Sequence, residues 1–176
     1  MDGMVTGLVA KSRLSRREVA VGILAAATAA KAHAAPCPQL RVLFVCPAGT
    51  VKSAIARETL RRRAAAARVS VHVESRGLHP EDHVSAGLAA NLRADGVDPA
   101  AEPVRTFSEA DLGGADIVVA FDEAAQAPAL WKARVWDIPS WNDHYEQAKA
   151  VLATHVDELI AELRNRQSQV CAGANR

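Results

Sequence analysis

The segment RVLFVCPAGTVKS, residues 41–53, decides the fold of this chain. Its first six residues form a short apolar run rich in β-branched and aromatic side chains, which is typical of a buried parallel strand. A turn containing the small residues Ala48 and Gly49 follows and ends at Lys52. Ser53 is suited to cap a helix, because its hydroxyl can accept a hydrogen bond from a first-turn backbone N–H. The segment therefore predicts a strand, a tight loop and a helix.

Outward from this segment, further strands alternate with helices. The remaining predicted strands cover residues 69–74, 116–121 and 134–138, and further helices cover residues 84–94 and 142–166. This alternation predicts an α/β fold, with a small parallel sheet of about four strands and helices on both faces. Ligands of such sheets bind beyond the carboxyl ends of the strands, which is where Cys46 stands.

Length and composition limit the classes of function. A chain of 176 residues has room for one domain of ordinary size, and its 49% of hydrophobic residues can build a core. Lys and Arg number 21 against 20 Asp and Glu, so no basic face for nucleic acid is implied. We expect no nucleic-acid partner.

The first 34 residues have the three-part plan of a secretory signal. A cationic start precedes an uncharged run at residues 19–30, and Ala-His-Ala at residues 32–34 resembles a cleavage site. The sequence SRREV at residues 15–19 also resembles the twin-arginine export signal. The apolar run is too short to span a bilayer of about 30 Å as a helix.

We therefore predict a signal peptide over residues 1–34 and one folded domain over residues 35–176. Removal of the signal would leave no stable membrane span, and the protein would be periplasmic or secreted. The alternative is an amphipathic N-terminal helix that stays attached.

Cys37 and Cys171 lie near the two ends of the predicted mature chain. An oxidising compartment would allow them to form a disulfide, because chain ends often lie close together in a compact domain. Two unpaired thiols are the alternative.

The loop after the first strand is a candidate anion-binding site. At a helix N-terminus, free backbone N–H groups and the positive end of the macrodipole stabilise a tetrahedral oxyanion. The predicted anion-binding residues are those between the cysteine and the lysine, namely Pro47, Ala48, Gly49, Thr50 and Val51. Small residues among them let the amides converge into a nest.

The same field favours a nucleophilic thiolate at Cys46. Lys52 would add a positive charge at the rim, and the Ser53 hydroxyl is placed to bond the sulfur. The alternative for Cys46 is a small buried hydrophobic residue, which is common for cysteine.

This loop resembles the Cys-x5-Arg-Ser signature of the low-molecular-weight protein tyrosine phosphatases and the related arsenate reductases. The likeness continues in SAIARE (53–58), SRG (75–77), FDE (121–123) and WDIP (136–139), and covers nearly all of residues 40–165. The resemblance implies that Cys46 attacks phosphorus, that Ser53 stabilises the thiolate, and that residue 52 holds the phosphoryl oxygens.

Two departures from the family pattern bear on activity. Lys52 stands where the family has its arginine, so the two-point clamp on the phosphoryl group is lost. Ser140 stands at the position of the family's general acid, and Asp143, three residues further on, is the candidate replacement. Asp137 matches an aspartate that is not catalytic in the family. Together the two losses would lower turnover by about four to six decades.

We therefore expect an exported enzyme that slowly hydrolyses phosphate monoesters through a cysteinyl-phosphate on Cys46. Its substrates would be a phosphoprotein or a small aryl phosphate, and it would need no cofactor or metal. The alternative is a catalytically degenerate protein that binds phosphate or arsenate. A third hypothesis is that the protein reduces arsenate, with Cys171 as a distant resolving thiol.

Overall fold

In the computed structural model, which describes residues 39–174, the sheet has four parallel strands. In chain order they are β1 (Leu40–Cys46), β2 (Val71–Gly77), β3 (Ile117–Ala120) and β4 (Arg134–Val135). Across the sheet the order is β2-β1-β3-β4. The apolar strand β1 lies inside the sheet, and Phe44 at its centre aligns with Ser75 of β2 and Val119 of β3. This position explains why β1 reads as a nearly continuous apolar run.

In this described part of the chain, three α-helices cover one face of the sheet. They are α1 (Lys52–Ala66), α2 (Ala86–Ala94) and α3 (Tyr145–Ala174). Side chains alternate between faces along a strand, so Val42 and Phe44 of β1 join the larger core cluster. That cluster also holds Leu60, Leu92 and Leu159, one from each α-helix.

The opposite face has a smaller core, formed around Leu43 and Val45 of β1. Short 3-10 helices and loops supply its partners, among them residues of Glu109–Gly114, Asp122–Gln126 and Pro128–Leu130. The predicted α/β fold, a parallel sheet with helices on both faces and Cys46 at the start of the loop after the first strand, is confirmed.

The last helix differs most from its prediction. It begins at Tyr145 rather than residue 142, and it continues beyond residue 166 to Ala174. At its start, Asn142 Oδ1 accepts a hydrogen bond from the Ser85 hydroxyl (2.6 Å) and stays in the preceding turn. Near its end, Gln167 donates to the Ser70 carbonyl and holds the additional turns against the loop before β2.

Within residues 39–174, no helix is long and apolar enough to cross a membrane. The predicted signal peptide at residues 1–34 and Cys37 lie outside the described residues. Export, signal cleavage, the boundary of the mature domain and the pairing of Cys37 with Cys171 therefore stay predictions.

Candidate active site

Two glycines let the loop after β1 lie directly against the end of β2. Gly49 has a φ of +78°, which glycine adopts without strain, and a Cβ there would stand 2.9 Å from the Gly77 backbone. A Cβ on Gly77 would in turn stand 2.8 Å from the carbonyl of Ala48. The close approach of these two backbones sets the tight curl of the loop.

Three carbonyl groups of the loop face the segment at residues 78–81. The hydrogen bonds run from Leu78 N to Cys46 O (3.1 Å), from His79 N to Pro47 O (2.9 Å) and from Glu81 N to Ala48 O (3.0 Å). The N–H of a trans peptide points away from its C=O, and the described residues contain no cis peptide. The N–H groups of Ala48 and Gly49 therefore point to the other side of the loop, where the sulfur lies.

Cys46 is 3% exposed, and its sulfur lies at the base of this loop. The Gly49 N–H donates to Cys46 Sγ at 3.1 Å, and Ser53 Oγ lies 3.1 Å from the same sulfur. Ser53 is itself fully buried. Polar groups thus contact the sulfur directly, which differs from the apolar packing of an inert buried cysteine.

Ser53 does not cap α1, so the prediction that its hydroxyl caps this helix is wrong. The helix begins one residue earlier, at Lys52, and Val51 precedes it without a side-chain cap. The Ser53 hydroxyl is turned inward, where the carbonyl oxygens of Gly49 and Arg76 also lie within 3.3 Å. The resemblance to the phosphatase signature, rather than helix capping, gave the better account of this serine.

Lys52 joins three loops at the rim of the site. Its Nζ donates to Asp122 Oδ1 at 2.5 Å and to the carbonyl of Ile138 at 2.6 Å. Asp122 follows β3 in a left-handed conformation with a φ of +52°, and Ile138 follows β4. A carboxylate thus balances the positive charge that Lys52 was predicted to add at the rim.

An open concavity of about 620 Å³ lies above the sulfur. It brings together most of the predicted loop with the segments that follow β3 and β4; its lining residues are Cys46, Pro47, Ala48, Val51, Lys52, Asp122, Glu123, Gln126, Ser140, Trp141 and Asn142. Of the lining residues in the segments after β3 and β4, Ser140 was placed at the site from the sequence, whereas Asp122, Glu123, Gln126 and Asn142 were not. The FDE match at residues 121–123 was the one available signal for two of them.

Thr50 and Asp143, two predicted site residues, stand apart from this lining. Thr50 faces a different cavity beside Pro80 and Val104, and its buried hydroxyl has no hydrogen-bond partner among the described residues. Asp143 is exposed in the turn before α3 and does not line the concavity. A catalytic role for Asp143 stays a prediction.

Two buried arginines stabilise the strand that supports the loop. Arg57 of α1 donates to Ser75 Oγ of β2 at 2.8 Å. The neighbouring Arg76 donates to Asp111 at 3.0 Å. Burial opposes ionisation of Asp111, but hydrogen bonds from Ser108 and Arg76 outweigh it and hold the pKa of this carboxyl below its usual value.

The three tryptophans have separate environments. Trp136 packs against Phe44 in the core and stacks on His155 of α3 at 4.9 Å between ring centroids. Trp141 lines the concavity and also packs edge-on against Tyr145, the first residue of α3. Trp131 is 75% exposed and lies outside the site. Only Trp141 is placed to contact a ligand.

The sequence matches a known protein family over nearly all of the residues that the structure describes. Residues 41–167 match a protein family described as low molecular weight phosphotyrosine protein phosphatase. The chain belongs to this family. No curated protein sequence matches it.

Solved structures agree with this assignment. The YwlE arginine phosphatase from Geobacillus stearothermophilus is 22% identical, with a TM-score of 0.60, over 74% of this chain and 96% of that one. A low molecular weight protein tyrosine phosphatase from T. tengcongensis is 19% identical (TM-score 0.57), over 70% and 99%. An arsenate reductase in a phosphate-binding state is 18% identical (TM-score 0.57), over 71% and 99%. At such low identities these likenesses show the fold.

Proposed function

We propose that this protein hydrolyses phosphate monoesters with Cys46 as the nucleophile, at a rate below that of well-equipped members of the family. One observation carries the proposal. The buried sulfur lies at the floor of an open concavity, within 3.1 Å of both the Gly49 N–H and the Ser53 hydroxyl. Family membership adds support, because relatives with this fold include phosphatases.

The reaction would proceed in two steps. The Cys46 thiolate attacks phosphorus, the bond from phosphorus to the leaving oxygen breaks, and the leaving oxygen takes a proton. Water then attacks the cysteinyl-phosphate, which releases inorganic phosphate and restores the thiolate. The loop N–H groups and the start of α1 would stabilise the charge on the phosphoryl oxygens.

Two features support a reduced rate. Lys52 cannot clamp two oxygens as a guanidinium does, and its ammonium already bonds Asp122 and Ile138. Loss of one oriented donor typically costs about 10²–10³ in rate. Ser140 lines the concavity at the family's general-acid position. Loss of proton donation from this position costs up to about 10²–10⁴ in rate, and less where another residue of the lining supplies the proton.

A second candidate function is oxyanion binding without turnover, with phosphate or arsenate as the ligand. The contact that favours it is the Lys52–Asp122 ion pair. In this pair the ammonium that would act on the phosphoryl group is already bound to a carboxylate. The loop N–H groups would still bind an anion in this case. A phosphate-bound arsenate reductase of the same fold is consistent with such binding.

The substrate would be a phosphoprotein or a small aryl phosphate, as the phosphatase relatives suggest. We further propose that the protein is exported to the periplasm or secreted, since residues 1–34 have the plan of a signal peptide. Cell fractionation with N-terminal sequencing of the recovered protein tests this. Recovery from the cytoplasm with residue 1 intact would contradict export.

Turnover of p-nitrophenyl phosphate, measured beside a Cys46→Ser variant, tests the proposed function. We expect slow release of nitrophenol that requires Cys46, and a phosphorylated cysteine that mass spectrometry detects after an acid quench. Phosphate-dependent thermal stabilisation without any turnover would instead support the binding protein. Turnover that persists in Cys46→Ser would contradict the assignment of the nucleophile.

A further inference from the structure

We propose that Glu123 donates the proton to the leaving oxygen, as the general acid that replaces the family residue at position 140. This inference rests on the proposed function. It starts from the carboxylates that line the concavity with Cys46. In the described residues these are Asp122 and Glu123, both in the segment that follows β3.

The direction of the reaction places the proton donor at the mouth of the concavity. In phosphoryl transfer the attacking and leaving atoms lie roughly in line on opposite sides of phosphorus. Cys46 is only 3% exposed, and its Sγ attacks from the floor. The leaving oxygen must therefore face the open side, and its proton donor must be an exposed group of the lining.

Asp122 is poorly suited to this role. Its Oδ1 accepts the ammonium of Lys52 at 2.5 Å, and the same ammonium bonds the carbonyl of Ile138. To protonate a leaving group, Asp122 would have to carry a proton while it gives up this ion pair. Its contact instead ties together the loops that follow β3 and β4.

Glu123 has the properties that Asp122 lacks. It is exposed at the concavity, and its carboxylate has no hydrogen-bond or ion-pair partner within residues 39–174. Asp122 and Glu123 begin the same short 3-10 helix, Asp122–Gln126, so the Lys52–Asp122 contact also fixes the backbone from which Glu123 projects. The neighbouring ion pair thus holds the segment that carries an unengaged carboxyl in the lining of the concavity that Cys46 also lines.

The proton balance is complete within this site. In the first step the protonated Glu123 transfers its proton to the leaving oxygen as the phosphorus–oxygen bond breaks and the sulfur–phosphorus bond forms. In the second step the Glu123 carboxylate takes a proton from the attacking water as the sulfur–phosphorus bond breaks. The residue ends as it began, and no further reactant is needed.

The test compares two esters that differ in their need for an acid. Phenyl phosphate has a basic leaving oxygen that must be protonated, whereas 2,4-dinitrophenolate leaves without a proton. In the full chain, Glu123→Gln should lower kcat/KM for phenyl phosphate by about 10²-fold and change that for the dinitrophenyl ester by less than about 3-fold. Glu123→Asp should keep part of the phenyl phosphate activity.

Two further variants complete the design. Glu109→Gln makes the same chemical change at an exposed residue outside the concavity, and both esters should react as with the wild type. Asp143→Asn tests the rival acid. If Asp143→Asn shows the selective loss and Glu123→Gln does not, or if Glu123→Gln slows both esters equally, the proposal for Glu123 is overturned.

Failure of the proposed function gives a different result. If neither ester shows turnover that depends on Cys46, the phosphatase assignment and the role of Glu123 both fall. If the dinitrophenyl ester shows Cys46-dependent turnover and Glu123→Gln leaves phenyl phosphate unaffected, only the role of Glu123 falls. Thermal unfolding of each variant, with and without inorganic phosphate, confirms that it is folded and that its loop is intact.

Discussion

The ammonium of Lys52 pairs with the carboxylate of Asp122. An anion that enters the loop would compete with this carboxylate for the ammonium. Asp122→Asn removes the negative partner and keeps the bond from Lys52 to the carbonyl of Ile138. Because a partly exposed ion pair is worth about 0.2–1 kcal/mol, phosphate should bind roughly 1.4- to 5-fold more tightly to this variant. A phosphate titration followed by Trp141 fluorescence measures the change, and the gain should shrink at high salt.

Asp137→Asn is the matched control, because Asp137 is exposed and lies outside the lining of the concavity. Its phosphate affinity should equal that of the wild type. Unchanged or weaker binding in Asp122→Asn would show that Asp122 organises the loop more than it competes with the anion.

The two departures from the family pattern can be reversed together. Lys52→Arg would restore a planar fork for two phosphoryl oxygens, and Ser140→Asp would place a carboxyl within the concavity. We expect the double variant to turn over p-nitrophenyl phosphate faster than either single variant, since each change serves a different part of one transition state. Adding Cys46→Ser should abolish the gain. A folded, phosphate-binding double variant that is no faster than Lys52→Arg alone would show that residue 140 does not reach the leaving oxygen.

The contact between the loop after β1 and the strand β2 sets the shape of the anion site. In Gly77→Ala, the new Cβ would meet the carbonyl of Ala48 at 2.8 Å and Gly49 N at 2.9 Å, so the two backbones must separate. We expect a loss of about 1–3 kcal/mol in the free energy of unfolding and weaker phosphate binding. Urea unfolding and a phosphate titration measure the two effects.

Gly113→Ala is the control for this substitution, because nothing lies within 4 Å of a Cβ built there. It should leave phosphate binding unchanged. If Gly77→Ala binds phosphate as the wild type does, the loop holds its shape without the close contact to β2.

The sequence predicts the elements well where one local pattern determines them. The apolar run of β1 requires burial on both faces, and the order of strands and helices then fixes a parallel sheet. The contact of Lys52 with Asp122, by contrast, joins residues 70 positions apart. A local sequence pattern cannot predict where a side chain points across such a separation. Ser53 shows the same limit, because a serine at a helix start suits a cap and an inward contact equally well.

Ion pairs between arginines and carboxylates make the free energy of unfolding of the whole domain depend on pH. Arg76, at the end of β2, bonds Asp111 of the 3-10 helix Glu109–Gly114, and the pKa of Asp111 is lowered. A carboxyl with a lowered folded pKa contributes stability above its unfolded pKa of about 3.9 and loses it as the pH falls through the folded value. The urea midpoint should therefore fall steeply as the pH drops from about 5 to about 2.

Asp111→Asn should reduce this pH dependence and lower stability at neutral pH, because Arg76 is buried and would lose a charged partner. Glu109→Gln, a change at an exposed neighbour, should keep the wild-type slope. Equal slopes for wild type and Asp111→Asn would show that other carboxylates cause the acid instability.

The depth of Cys46 has a consequence for chemical labelling. The residue is 3% exposed and lines the concavity, so a reagent can approach its sulfur only through the open mouth. Iodoacetamide, which is narrow, should alkylate Cys46, whereas a bulky dye-linked maleimide should be excluded by the walls. Inorganic phosphate bound in the loop would block the same path. Protection from iodoacetamide would thus count occupied sites in a preparation that shows no turnover.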